Sequence, residues 1–157
     1  MNVENKLTEF GIEYKLLKHP AVFTVAESME HMPGKYPVKN LLLKEEKGER
    51  CVFVIMKGDE RLDTKFIERE LSLRKLQFAK PDVLMAKLAV EPGSASLFSL
   101  LHSGSSGVEV AIDHRLLEQK ELGFHPGVNT QTILIDGADI AVFMESIGRT
   151  YQVLTFV

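Results

Sequence analysis

The chain has 157 residues, 45% of them hydrophobic and 26% charged, which is the balance of a globular domain and not of a linker or a disordered segment. A formal net charge of −3 argues against broad, sequence-independent nucleic-acid binding, although it leaves room for a local basic patch that grips one end of an RNA. The first ten residues are polar and mixed in charge, unlike a signal peptide, and no apolar run approaches the roughly 20 residues of a membrane helix. The expectation is therefore one cytoplasmic domain over residues 1–157, with neither membrane nor DNA as a partner.

In chain order, Leu7, Phe10 and Ile12 share a face of a short helix that Gly11 ends. EYKLLKHP reads as a strand that stops at His19-Pro20. Thr24 followed by Glu27 makes a capping box for a helix from Val25 to about His31, which PGKYP breaks. Leu41–Leu43 and Cys51–Met56 form the arms of a hairpin that turns at Lys47-Gly48. Asp63 or Thr64 caps a helix carrying Phe66, Ile67 and Leu71. LRKLQFA is a short strand, and PDVLMAKL is a helix with Pro81 in its first turn. VEPGSAS is a turn cluster, and HSGSSG reads as a flexible surface loop. VEVAID is a strand followed by one helical turn near Arg115. A loop at GFHPGVN leads to a strand from about Thr130, and Asp136 is positioned to cap a helix that Gly148 closes. YQVLTFV is the last strand. Helices and strands do not alternate strictly, so the expected class is α+β, a mixed sheet surrounded by helices.

Several chemistries lack their residues. The five histidines make no helical His-x-x-x-His pair, and one cysteine cannot build a thiolate site, so no metal and no cofactor is expected. Cys51 lies in the apolar run CVFVIM and reads as a buried, inert thiol. Neither a phosphate-binding GxxxxGK[ST] or GxGxxG loop nor a GxSxG nucleophile elbow is present.

Three places keep two readings open. Lys39, ahead of Leu41–Leu43, is either a strand-end lysine reaching water or an ammonium in a partly desolvated cleft, able to meet a phosphate or a developing oxyanion. In the first case Asn40 belongs to a turn. His125, held extended before Pro126, either packs or lines a pocket with Asn129 and Thr130. The Pro92-Gly93 turn with Ser94 either only turns or presents backbone N–H groups to an anion.

Taken together, KNLLL with GDERLD, VEPGSASLF and GFHPGVNTQT resemble, in this order, the YbaK/prolyl-tRNA synthetase editing-domain family, and most of all its freestanding ProXp-ala type (also PrdX or ProX). The likeness runs from about Tyr14 to the C-terminal helix. It implies a curved, barrel-like mixed sheet and a trans-editing enzyme that deacylates mischarged tRNA(Pro), typically alanyl-tRNA(Pro). The partners it implies are the tRNA(Pro) acceptor end and prolyl-tRNA synthetase. By the same resemblance Lys39 is the lysine needed for activity. Asn40, Gly93, Ser94, His125, Asn129 and Thr130 fall on residues that shape the substrate pocket.

Two departures stand out. Pro37 occupies the place of the histidine in the family's Gly-x-His-x-Lys pattern, with Gly34 one residue farther off, so the wall beside Lys39 should differ. Ser96-Leu97 replaces the usual Thr-Pro after the EPGS turn, and loss of the proline should loosen that loop. Lysines 15, 18, 35, 39 and 44 give the first third a positive bias, where contact with the acceptor stem is expected. Alternative readings are a deacylase of cysteinyl-tRNA(Pro) and a non-catalytic tRNA-binding or regulatory module of the same fold.

Overall fold

β3 (Cys51–Lys57) is the strand on which the architecture is built. The computed structural model describes residues 2–22, 24–31 and 35–156. From Cys51 to Met56 every residue of β3 is buried. Alternation sends Phe53 and Ile55 into one apolar cluster and Val52, Val54 and Met56 into another. A continuous apolar run thus reads as a central strand covered on both faces.

Five strands form one sheet in the order β4 (Leu76–Phe78), β2 (Val38–Glu45), β3, β5 (Glu109–Asp113), β8 (Gln152–Leu154). β2 pairs antiparallel with β3 and β4, while β5 runs parallel to β3 and β8 parallel to β5. A second, antiparallel sheet has the order β1 (Lys15–Lys18), β7 (Gln131–Ile135), β6 (Leu122–Phe124). The α+β class holds. The described strands, however, make two sheets and not one closed barrel.

The larger cluster joins the sheets and takes in Leu7 of α1 (Val3–Glu9), Leu88 of α4 (Pro81–Leu88) and Phe143 of α5 (Ala138–Ser146). Ile67 and Leu71 of α3 (Thr64–Leu71) cover the other face of β3. Asp63 caps α3 by accepting the N–H groups of Lys65 and Phe66. At α2 (Val25–Glu30) the capping box is half made. The Glu27 N–H donates to the Thr24 hydroxyl, while the Glu27 carboxylate takes the hydroxyl proton instead of a backbone N–H. Pro33 and Gly34, read as a helix breaker, lie outside the described residues.

Four expectations change. β2 begins at Val38, ahead of the expected Leu41, so Asn40 is a strand residue and not a turn residue. LFSLLHSGS folds into two 3₁₀ helices, Leu97–Leu101 and Ser103–Ser105. Ser105 is 1% exposed and donates to the Leu100 and His102 carbonyls, so this segment is a packed element and not a flexible loop. Asp136 does not cap α5: Gly137 takes that position, and the Asp136 carboxylate accepts the Glu121 N–H instead. A Cβ on Gly137 would run into the Leu116 carbonyl, which is why glycine stands there. Finally, the segment after Glu121 forms β6, an additional strand.

Candidate active site

A cavity of about 350 Å³ opens where the first half of β2 meets the second sheet. Val38, Lys39, Asn40 and Leu41 line it consecutively, so it wraps the strand end. Gly93 and Ala95 come from the turn after α4, Gly123 from β6, Thr132 from β7, and His125 from the loop between these strands. Val22, Thr24, Met29 and Tyr36 complete the wall from the chain around α2.

Lys39 pairs with Met56 and Asn40 with Ile55 across the hairpin. The Lys39 ammonium is partly buried and donates to the Glu60 carbonyl at 2.6 Å. An ammonium has three N–H donors, and among the described residues one of them is committed. On the next residue of the strand, the Asn40 Oδ1 is buried and has no hydrogen-bond partner among the described residues. Leaving a buried acceptor unpaired costs roughly 1–3 kcal/mol. Both residues line the cavity, which therefore offers a polar ligand a cation and an acceptor.

His125 Nδ1 lies 2.9 Å from the Gln131 carbonyl. A carbonyl only accepts, so Nδ1 carries the proton and Nε2 of the neutral ring is an acceptor. Burial lowers the His125 pKa, the Gln131 bond partly opposes it, and nearby His19 adds to the lowering. The ring is therefore neutral near pH 7. His19 lies 6.1 Å from His125, centroid to centroid, and contacts Thr132 Oγ1 through Nε2 at 2.8 Å.

Gly93 has φ +87°, a conformation that side chains with a Cβ rarely adopt. It lets the turn bring its backbone to the cavity wall. Ser94 is buried off that wall, and its N–H donates to the Glu91 carbonyl at 3.1 Å. The turn is not loosened by the missing proline. Ser96, fully buried, donates its hydroxyl to the His125 carbonyl at 2.5 Å, accepts the Phe98 N–H and forms a reciprocal cap with Ser99. One hydroxyl thus ties the glycine turn to the histidine loop.

Residues 19–143 match the family model of the aminoacyl-tRNA editing domain. The chain is 31% identical over 152 residues to the prolyl-tRNA editing protein ProX of Acetoanaerobium sticklandii, covering 95% of this chain and 92% of the relative. It belongs to the aminoacyl-tRNA editing-domain family. It is also 31% identical to the prolyl-tRNA synthetase associated domain-containing protein 1 of Danio rerio, over 98% of this chain and 85% of the relative. A solved candidate trans-editing enzyme for prolyl tRNA synthetase shares the fold with a TM-score of 0.75 at 19% identity, covering 99% of this chain and 95% of the other.

As a member of this family the protein is an aminoacyl-tRNA deacylase. The cavity brings together Lys39, Asn40, Gly93 and His125 from three separated segments. Asn129 and Thr130 are not on its wall. The Asn129 amide donates to the Val22 carbonyl at 2.8 Å, the Val22 N–H returns a bond to the Asn129 carbonyl, and the Thr130 carbonyl accepts the His19 N–H. These residues pin the chain before α2, including Val22 of the wall. Thr132, Tyr36 and Met29 are wall residues that sequence reasoning missed. Thr132 follows Gln131 and precedes the apolar run Ile133–Ile135, and the fold leaves it only 1% exposed.

The basic bias of the first third is offset in part, since two of its five lysines share one carboxylate. Lys15 and Lys35 both pair with Glu121, at 3.0 and 2.7 Å. Lys44 donates to the Glu45 and Gly48 carbonyls. Burial pushes the Cys51 thiol up, and it sits away from the cavity as an inert core residue. Among the described residues no helix is long and apolar enough to cross a membrane, and no group of three His, Cys, Asp or Glu side chains converges on a metal position.

Proposed function

We propose that the protein is a trans-editing enzyme for mischarged tRNA(Pro), with alanyl-tRNA(Pro) as its preferred substrate. The observation that carries this reading is one cavity lined by a lysine, by an asparagine whose amide oxygen has no partner among the described residues, and by a neutral imidazole. The likeness to the Acetoanaerobium ProX supports tRNA(Pro) as the tRNA.

In this account the terminal adenosine places the aminoacyl ester in the cavity. Water attacks the carbonyl carbon, the ester C–O bond breaks, the ribose hydroxyl recovers a proton, and the amino acid leaves. Lys39 stabilises the negative charge that builds on the carbonyl oxygen, assisted by the glycine-turn backbone. The ribose hydroxyl beside the ester helps activate the water. Asn40 Oδ1 and His125 Nε2, both acceptors, suit the substrate ammonium or the attacking water; His125 is not assigned as the base. Catalysis then rests on positioning and electrostatics, with no covalent intermediate. Alanine enters and proline is rejected by bulk, the direction in which a pocket discriminates most readily. Prolyl-tRNA synthetase, the source of the mischarged tRNA, is the expected partner.

Deacylation of alanyl-, cysteinyl-, seryl- and prolyl-tRNA(Pro) by the purified protein tests the proposal. Alanyl-tRNA(Pro) should be hydrolysed fastest and prolyl-tRNA(Pro) spared. Fastest turnover of cysteinyl-tRNA(Pro) would transfer the specificity. No turnover of any of them would leave a tRNA-binding module.

A further inference from the structure

We propose that Arg115, anchored by Asp113, is a positioning residue for Lys39: it holds Glu60 so that the carbonyl, and not the carboxylate, of Glu60 meets the Lys39 ammonium. The inference deepens the deacylase reading above and rests on it for its kinetic part.

Asp113 ends β5 and is 0% exposed. Its carboxylate accepts the Lys57 and Arg115 N–H groups and two guanidinium nitrogens of Arg115, Nε at 3.0 Å and Nη2 at 2.7 Å. Burial opposes ionisation of Asp113, but the Arg115 hydrogen bonds and the backbone donors outweigh it and hold its pKa below the ordinary value. The guanidinium is thereby fixed in direction. Its outer edge meets the Glu60 carboxylate in two bonds, Nη1 at 2.7 Å and Nη2 at 2.9 Å. Such paired bonds set geometry as well as energy.

Glu60 lies in the connection between β3 and α3. The Gly58 N–H is tied to the Pro37 carbonyl at 2.8 Å, and Asp63 caps α3. Between these anchors Arg115 grips the segment at the residue whose carbonyl accepts Lys39. The chemical consequence follows from charge. A neutral carbonyl orients an ammonium and leaves its charge for the substrate, whereas a carboxylate would pair with that charge and compete with a developing oxyanion. Glu60 carries both groups, and Arg115 occupies its carboxylate while its carbonyl accepts Lys39.

Arg115→Lys keeps a cation for buried Asp113, so the fold should survive, but lysine cannot clasp both carboxylates. Two readouts then apply, both with circular dichroism confirming the fold. The first needs no activity: the ¹⁵Nζ ammonium signal of Lys39, assigned by its loss in Lys39→Arg. It should move in Arg115→Lys and return toward the parent position in Arg115→Lys/Glu60→Gln, where the carboxylate charge is gone. The second is single-turnover hydrolysis of alanyl-tRNA(Pro). The rate should fall about ten-fold in Arg115→Lys, with tRNA binding unchanged, and recover in the double variant. That rescue separates positioning from plain support of the fold, which a second substitution would not restore. An unmoved Lys39 signal in Arg115→Lys, or a double variant no nearer the parent than the single one, overturns the proposal. If the Lys39 signal behaves as expected while the parent hydrolyses no aminoacyl-tRNA, the positioning holds and the deacylase reading fails.

Discussion

Lys39 and Lys44 stand on the same strand, five residues apart, both partly buried and both donating to carbonyls. Lys44 gives two bonds to the turn it closes, at 3.1 and 2.7 Å, and lies outside the cavity. Lys39 gives one bond among the described residues, at 2.6 Å, and lines the cavity. The difference is not charge or burial. It is how many bonds tie the ammonium among the described residues, two against one, and whether a concave space adjoins it. A lysine tied twice to a turn supports a hairpin; one tied once at a pocket can act on a substrate.

The largest effect should come from exchanging each lysine in turn. Lys39→Ala should slow alanyl-tRNA(Pro) deacylation about 100-fold or more, the size of losing one oxyanion donor. Lys44→Ala should leave the rate within about two-fold, since a committed surface-facing lysine contributes little to chemistry. A deacylation time course of both variants would break the comparison if the two rates matched. Next comes the turn opposite Lys39. Ser96→Ala strips a fully buried hydroxyl from the His125 carbonyl and the Phe98 N–H. Urea unfolding should show a loss of about 2 kcal/mol for groups left unpaired. Gly93→Ala forces a Cβ into a backbone at φ +87°. It should cost about 1 kcal/mol or more in the same measurement and also lower the rate, because the glycine backbone lines the cavity.

Smallest is a pH effect. The pKa of His125 in the folded chain lies below the ordinary 6.5, because burial disfavours the imidazolium. The unfolded chain therefore binds the proton more readily. Stability from the neutral ring is complete above pH 6.5 and is lost as pH falls through the folded value. The dependence should be at most about 1.4 kcal/mol per pH unit in that window. Urea midpoints measured from pH 7.5 downward should fall for the parent and flatten for His125→Gln, which can still donate to the Gln131 carbonyl.

Much of this was legible in the sequence. The apolar run CVFVIM announced one arm of a hairpin, and Asp63 and Pro81 marked helix starts through local chemistry. Lys39, Gly93 and His125 were picked out from short motifs, and folding brings them to one cavity. What stayed hidden depends on distant partners. Thr130 and Thr132 differ by two positions, yet only Thr132 lines the cavity, because β7 begins at Gln131 and leaves Thr130 in the preceding turn. Asn129 looks like a ligand in its motif, but its amide is taken by Val22, 107 residues away in sequence. Ser105 looks like part of a loose Gly/Ser loop, and it packs because its hydroxyl and Arg149 find each other. Asp136 had the side chain of a cap, but Glu121 claimed it.

The central claim is that Lys39 acts on the ester and not merely on the tRNA. Single-turnover hydrolysis of alanyl-tRNA(Pro) by Lys39→Met, with the Kd for the tRNA measured on the same preparation, addresses it directly. The account predicts that the saturating rate falls about 100-fold while Kd stays within a few-fold of the parent. A saturating rate equal to the parent's, with any loss residing entirely in Kd, would contradict it.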